Sequence, residues 1–239
     1  MTNFIIDVVS DPVCPWCYIG KKRLEKAIAL YQKVYPGGRS DTFQTNWTAY
    51  YLDPKAPAKG IPYRERFLQK LASKTSEADG GDQAGRAAQL TDRLASIGRQ
   101  EGIVFSFAGK IGSTRSAHRA IAYSRTEAGP GAQDAFVTAL FAAYFEGDAD
   151  ITSYADLASV AETAGLDGAA MRAWLDSGAG GAEVDAEDAA ARAAGLRGVP
   201  CFTVLGRRVD GAGDVQDFMD AFVAVKEAEA EAERESAAS

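Results

Sequence analysis

The 239-residue chain has a single histidine, His118, and only three cysteines, Cys14, Cys17 and Cys201. With nothing near it to mark a nucleophile, the lone imidazole gives no ground for a Ser-His-Asp site. Three thiols and one imidazole are the bare minimum for a Cys₃His zinc centre. They are scattered along the chain, so no metal is expected. Nor do three cysteines make a disulfide scaffold, and a chain of this length buries enough surface to need none. No apolar run approaches the ~20 residues of a membrane-spanning helix. Positive charge is not in excess either, with 26 Lys and Arg against 33 Asp and Glu, a net charge of −7. Nucleic acid and anionic membrane surfaces are therefore poor partners. Residues 1–10 lack the basic start of a leader segment and read as a strand. The expected location is the reducing cytoplasm, where cysteines more often serve catalysis or packing than structural disulfides.

What the chain does have is ordered punctuation. The run Phe4-Ile5-Ile6-Asp7-Val8-Val9 is short, apolar and β-branched, and predicts a buried strand. Ser10-Asp11-Pro12 breaks it, with Asp11 suited to a loop or cap. A helix is predicted from about Cys14, since Leu24, Ala27, Ile28, Tyr31 and Val34 recur at intervals of three and four. Pro36-Gly37-Gly38 ends it, and residues 43–51 read as a second strand. The middle of the chain predicts helices at 62–73, 84–101, 116–125, 132–146, 153–164 and 168–176. The breaks fall at Ala78-Asp79-Gly80-Gly81, at 127–131 and at Gly165. The mixed pattern then returns: a helix over 182–194, the turn Gly198-Val199-Pro200, two short strands around Gly206, and a last helix over 215–225. The order is β-α-β, a helical block, then α-β-β-α. It divides the chain into a small α/β unit (1–52 and 182–226), an all-helical insertion (53–181) and an acidic tail (227–239).

The sharpest feature is Cys14-Pro15-Trp16-Cys17 at the start of the first helix. Two thiols three residues apart share a helix face and come within reach of one disulfide. Unpaired N–H groups and the partial positive charge of a helix start favour a thiolate, and such motifs commonly lower a cysteine pKa. Pro15 suits the first helical position, where a missing N–H costs nothing. Cys14 is the expected exposed nucleophile, and Cys17, one turn in, the resolving thiol. After a strand and inside a β-α-β unit, this spacing reads as a thioredoxin-like redox motif.

The stretch Asp11-Pro12-Val13-Cys14-Pro15-Trp16-Cys17-Tyr18-Ile19-Gly20 resembles the active-site segment of the DsbA-like thioredoxin superfamily. More narrowly, it is similar to the FrnE-type branch, akin to 2-hydroxychromene-2-carboxylate isomerases. Three further stretches carry the likeness: Ser113-Thr114-Arg115-Ser116-Ala117-His118-Arg119, Tyr144-Phe145-Glu146-Gly147-Asp148, and Gly198-Val199-Pro200. The resemblance implies an α/β thioredoxin fold with a large all-helical insertion. It implies a cis Pro200 facing the two thiols, with the Val199 backbone, Pro15, Trp16 and His118 at the substrate. Cys201 and Asp7 are the candidate accessory residues. In such a fold Cys201, directly after Pro200, would lie near the pair, but it also suits a buried strand position pointing away from it. Asp7 shares a strand face with Ile5 and Val9, and an acid buried there would need a reason, such as taking a proton from the resolving thiol.

The expected function is a thiol-disulfide oxidoreductase acting on protein or small-molecule disulfides, with no bound cofactor and glutathione as the candidate co-substrate. Because Trp16 is no cation, the pair is expected to be a milder oxidant than a C-P-H-C pair. The alternative is a glutathione-dependent isomerase or transferase of small aromatic compounds. Such relatives typically carry Ser where this chain has Cys14.

Overall fold

The computed structural model describes residues 1–72 and 83–237. The expected break at residues 78–81 lies outside them. At the centre is a four-stranded sheet in the order β2-β1-β5-β6. Strand β1 (Asn3–Ser10) runs parallel to β2 (Thr42–Ala49) and antiparallel to β5 (Cys201–Val204), which turns back into β6 (Arg207–Asp210). The β5–β6 turn has positive φ at both Leu205 and Gly206, the twist that two-residue hairpins favour.

Alternation decides what the sheet covers. Phe4, Ile6 and Val8 point to one face of β1 and are fully buried. Phe202 and Val204 continue that face on β5. Helix α1 (Pro15–Val34) and helix α8 (Val215–Ala237) close over it. The Phe4 ring stacks on Phe43 at 4.8 Å and meets Tyr31 and Phe222 edge-on at 5.5 and 5.2 Å. Each such ring stabilises the fold by roughly 2–3 kcal/mol through area removed from water. Gly20 lets α1 approach the sheet, because a Cβ there would stand 3.0 Å from the Phe202 ring. The Ala/Glu stretch after Lys226 continues α8 as helix to Ala237. Lys226 donates to the Thr2 hydroxyl at 2.5 Å, tying α8 to the start of β1.

The other face of β1 carries Ile5, Asp7 and Val9, and it is only partly covered. Asp7 is exposed and accepts from the Asn46 side chain at 2.9 Å. This corrects its expected placement beneath the thiols. Alternation groups Asp7 with Ile5 and Val9 correctly, but that face is the outer one.

Between β2 and the final α-β-β-α part lies the helical block: α2 (Tyr63–Ala72), α3 (Gln83–Glu101), α4 (Arg115–Phe145), α5 (Tyr154–Thr163) and α6 (Gly168–Ser177), leading into α7 (Gly181–Ala193). The block also contains a small antiparallel ribbon that has no periodic signature, β3 (Ile61–Pro62) against β4 (Lys110–Ile111). The expected break at 127–131 is a kink within α4: Gly129 takes φ 82°, ψ −178°, and Pro130 follows. Proline lacks the N–H to continue the ladder, and glycine alone adopts that φ without strain.

Helix α4 and helix α7 close the free edge of β2. The Gln133 side chain accepts from Trp47 N and donates to Trp47 O, both at 3.0 Å. From α7, Glu187 accepts from Ala49 N and Asp188 from Tyr51 N, both at 2.8 Å. Arg119, buried in α4, donates to the carbonyls of Leu175, Trp174 and Ala179 at 3.0, 3.2 and 2.6 Å. A cation at those free carbonyls meets the negative end of α6. Among the described residues no helix is long and apolar enough to cross a membrane.

Candidate active site

The site forms where β1 ends and α1 begins. Cys14 is the cap residue of α1, with extended backbone (φ −87°, ψ 108°), and Pro15 opens the helix. The first turn holds no acidic side chain, so nothing there opposes a thiolate. The Val199–Pro200 peptide bond is cis. The Cys14 thiol donates to the Val199 carbonyl at 3.5 Å, a distance ordinary for sulfur. Cys14 is 3 % exposed and Cys17 is fully buried. The expected open nucleophile is thus a covered one, because the Val199-Pro200 turn packs against it. Trp16, between the two thiols, is 42 % exposed and forms the outer rim. Pro15 and Val199 are partly exposed beside it, whereas Pro200 is buried. No disulfide joins any of the three cysteines.

The two thiols differ. Burial pushes the Cys17 thiol well above its ordinary pKa, and the neighbouring Cys14 sulfur pushes it further by hydrogen bonding and by charge. The Asp11 backbone N–H works the other way, and the Asp11 carboxylate adds to the upward push. Cys17 therefore holds its proton while Cys14 faces the helix start.

Asp11, not Asp7, is the acid next to the pair. It is wholly buried. Its carboxylate accepts from Leu52 N at 2.7 Å and from Val13 N at 3.3 Å. A capping contact to Val13 is what the sequence pattern suggests, but nothing local announces the bond to Leu52, 41 residues away.

His118 approaches Asp11 from α4, with its Nε2 at 3.8 Å from the carboxylate and 3.3 Å from the Tyr50 carbonyl. Burial drives its pKa down to about 4. At neutral pH the ring is therefore uncharged, so the contact is not an ion pair. His118 is 2 % exposed. This corrects its expected place on the substrate groove: it sits behind the site and touches Asp11 and the Tyr50 carbonyl.

Cys201 follows Pro200 but lies opposite Val9 and Asp210, on the outer face of the sheet, while Phe202 points to the core. Its sulfur is 3.9 Å from the Asp210 carboxylate, and burial raises its pKa. Alternation along β5 thus turns it away from the face that carries α1.

Tyr18 links the motif to the helical block. Its hydroxyl donates to Glu146 at 2.7 Å, and the other Glu146 oxygen accepts from Val104 N at 3.1 Å. The ring stacks on Phe141 and Phe145 at 5.2 and 5.8 Å. The end of α4 thereby holds the first turn of α1.

The geometry agrees with the likenesses of the chain. A family model, the DSBA-like thioredoxin domain, matches residues 5–223. A probable DsbA oxidoreductase of Streptomyces coelicolor is 27 % identical with TM-score 0.75, over 92 % of this chain and 88 % of that one. A 2-hydroxychromene-2-carboxylate isomerase superposes with TM-score 0.62 at 19 % identity, covering 98 % of each chain. The cytosolic disulfide reductase DsbM of Pseudomonas aeruginosa, solved with GSH, gives 0.55 at 16 % identity, over 93 % of this chain and 98 % of that one. The latter two share the fold alone. No curated protein matches the sequence. With a thioredoxin arrangement, a helical insertion and a family match over nearly its whole length, this chain belongs to the DSBA-like thioredoxin-domain family.

Proposed function

We propose that the chain is a thiol-disulfide oxidoreductase in which Cys14 attacks and Cys17 resolves. The observation that carries this is the inequality of the two thiols: Cys14 caps α1 against the Val199 carbonyl, while Cys17 is buried with its pKa raised. The Cys14 thiolate attacks one sulfur of a substrate disulfide and forms a mixed disulfide. The first substrate thiolate leaves and takes a proton from solvent. Cys17 passes its proton to Asp11 and attacks the Cys14 sulfur. The second substrate thiol leaves, taking up that proton. The protein is oxidised by two electrons and the substrate reduced by two. Run backwards, the same steps oxidise a dithiol. Rates follow thiolate fraction and access.

Once Cys14 has entered the mixed disulfide, its proton no longer occupies the Val199 carbonyl. That carbonyl becomes available to a backbone N–H of an extended substrate, in the manner of strand addition. Glutathione, a small thiol that would re-reduce the Cys14–Cys17 disulfide, is the proposed co-substrate.

The test is a glutathione redox titration with thiols alkylated at each ratio and counted by peptide mass. Cys14 and Cys17 should convert together and reversibly. Cys14→Ser should abolish exchange, and Cys17→Ser should accumulate mixed disulfides. If the two never pair and only Cys14 takes up glutathione, the glutathione-dependent isomerase or transferase reading replaces this one.

A further inference from the structure

Strand β2 is one border of the sheet, and its outward backbone groups are not all treated alike. The N–H groups of Thr42 and Tyr50 donate to the carbonyls of Thr2 and Ser10, so the even-numbered residues of β2 face β1. The odd-numbered ones, Phe43, Thr45, Trp47 and Ala49, face away from it. Trp47 is paired through both its N–H and its carbonyl with the Gln133 side chain, and the Ala49 N–H with Glu187. At the other end, the Asp41 N–H donates to the Gly38 carbonyl. Between these stops, the N–H and carbonyl of Phe43 and of Thr45 have no partner among the described residues. They open onto a groove of about 870 Å³, walled by Ile28, Gln32, Pro130 and Gly131.

An open strand border is a template for another strand, and proteins blunt it with charge, proline or a cover. The opposite border of this sheet is blunted, since β6 carries Arg207, Arg208 and Asp210. Thr42-Phe43-Gln44-Thr45-Asn46 has neither charge nor proline, and its Thr and Phe suit a strand. What fits it is the same stretch again. Laid antiparallel about a two-fold axis at Gln44, Phe43 of one copy faces Thr45 of the other. Every bare N–H then meets a bare carbonyl, and none is left over. A two-fold interface must complement itself. Here Gln44 lies against Gln44 and Thr42 against Asn46, so no charge meets its like, and Phe43 beside Thr45 is a favourable aromatic–β-branched pair. A foreign extended peptide would have no need of that symmetry.

We propose that two copies of the chain pair through the Phe43–Thr45 borders of β2, joining their sheets into one. The proposal does not depend on the oxidoreductase reading. Phe43 and Thr45 lie beside Phe4 and Ile6, in the first half of β1, whereas Cys14 follows its far end. The pairing therefore leaves the thiols of both copies at the opposite end of the strands.

The experiment is sedimentation equilibrium of the full chain under reducing conditions, over a range of micromolar concentrations. The wild type should reach twice the 25.3 kDa of one chain. A single-chain mass throughout overturns the proposal. Gln44 is half-buried, and its side chain bonds only Asn46, so it can be exchanged with little cost to the fold. Gln44→Lys sets like charge against like across the axis, and so does Gln44→Glu. Each should weaken the dimer about tenfold or more. An equal mixture of the two should recover it, which also shows that both variants fold. Dimers unaffected by either change, or not recovered on mixing, overturn the pairing. The register is read separately by oxidation of Gln44→Cys. Across the axis its Cα would stand about 4.5 Å from its own copy, within the reach of a disulfide. The same change at Asn46 lies on the order of 13 Å from its copy, four residues along the strand. Gln44→Cys should therefore yield a covalent dimer that neither Asn46→Cys nor the wild type yields. No such dimer from Gln44→Cys, or equal amounts from both variants, overturns the proposal.

Discussion

The Asp11 carboxylate accepts a hydrogen bond from the backbone N–H of Leu52 at 2.7 Å, joining the segment before Cys14 to the chain beyond β2. This bond fixes a buried acid next to a buried thiol. Replacing the acid with its amide keeps the shape and removes the charge.

Asp11→Asn should slow resolution of the mixed disulfide, on the order of a hundredfold, because the acceptor for the Cys17 proton is lost. The Asp11 charge also helps to raise the Cys17 pKa, so the variant should ionise Cys17 at lower pH. Thiolate absorbance against pH in Cys14→Ser, with and without Asp11→Asn, checks the direction. An unshifted midpoint would separate Asp11 from Cys17.

Burial lowers His118 from 6.5 to about 4. The unfolded chain therefore binds a proton near pH 6.5 that the folded chain refuses. Stability should be full above about pH 6.5 and should fall as pH drops toward 4, by on the order of 3 kcal/mol. In His118→Gln that decline should be shallower. Denaturant unfolding at stepped pH measures it, and parallel curves for the two proteins would contradict the assignment.

Cys201→Ala should leave dithiol exchange at the wild-type rate, because Cys201 faces Asp210 on the outer side of the sheet. A marked drop in single-turnover rate would bring Cys201 into the mechanism.

Gln133→Ala should destabilise the fold by about 2–3 kcal/mol. It removes both hydrogen bonds to Trp47 and leaves the Trp47 N–H and carbonyl unpaired in a buried place. Urea unfolding and light scattering give the stability and any self-association.

These residues also show where the sequence is legible. The strand–helix–strand start, the cysteine pair on the helix start and the break at Gly129-Pro130 each depend on local chemistry, and each lies near its expected position. The acid partner does not. Alternation puts Asp7 with Ile5 and Val9, yet only the later helices decide which face of β1 is covered, and they cover the other one. Asp11 looks like a capping residue because its second bond, to Leu52, is long-range. The β3–β4 ribbon has two residues per strand, too few for any period. Gln133 lies in a stretch that reads as plain helix. Its importance comes from its partner Trp47 across the fold.

The pairing of Gln133 with Trp47 has one more consequence. The amide imitates a neighbouring strand for a single rung, so the sheet border is plugged from within the molecule. The plug rides on α4, the helix that also carries His118 behind the thiols. Were α4 to lift, the geometry around the two thiols would slacken and a bare strand border would open to other copies of the chain in the same movement. Inactivation and clumping are then two readouts of one opening, and an aged preparation should lose both its turnover and its monodispersity on the same clock.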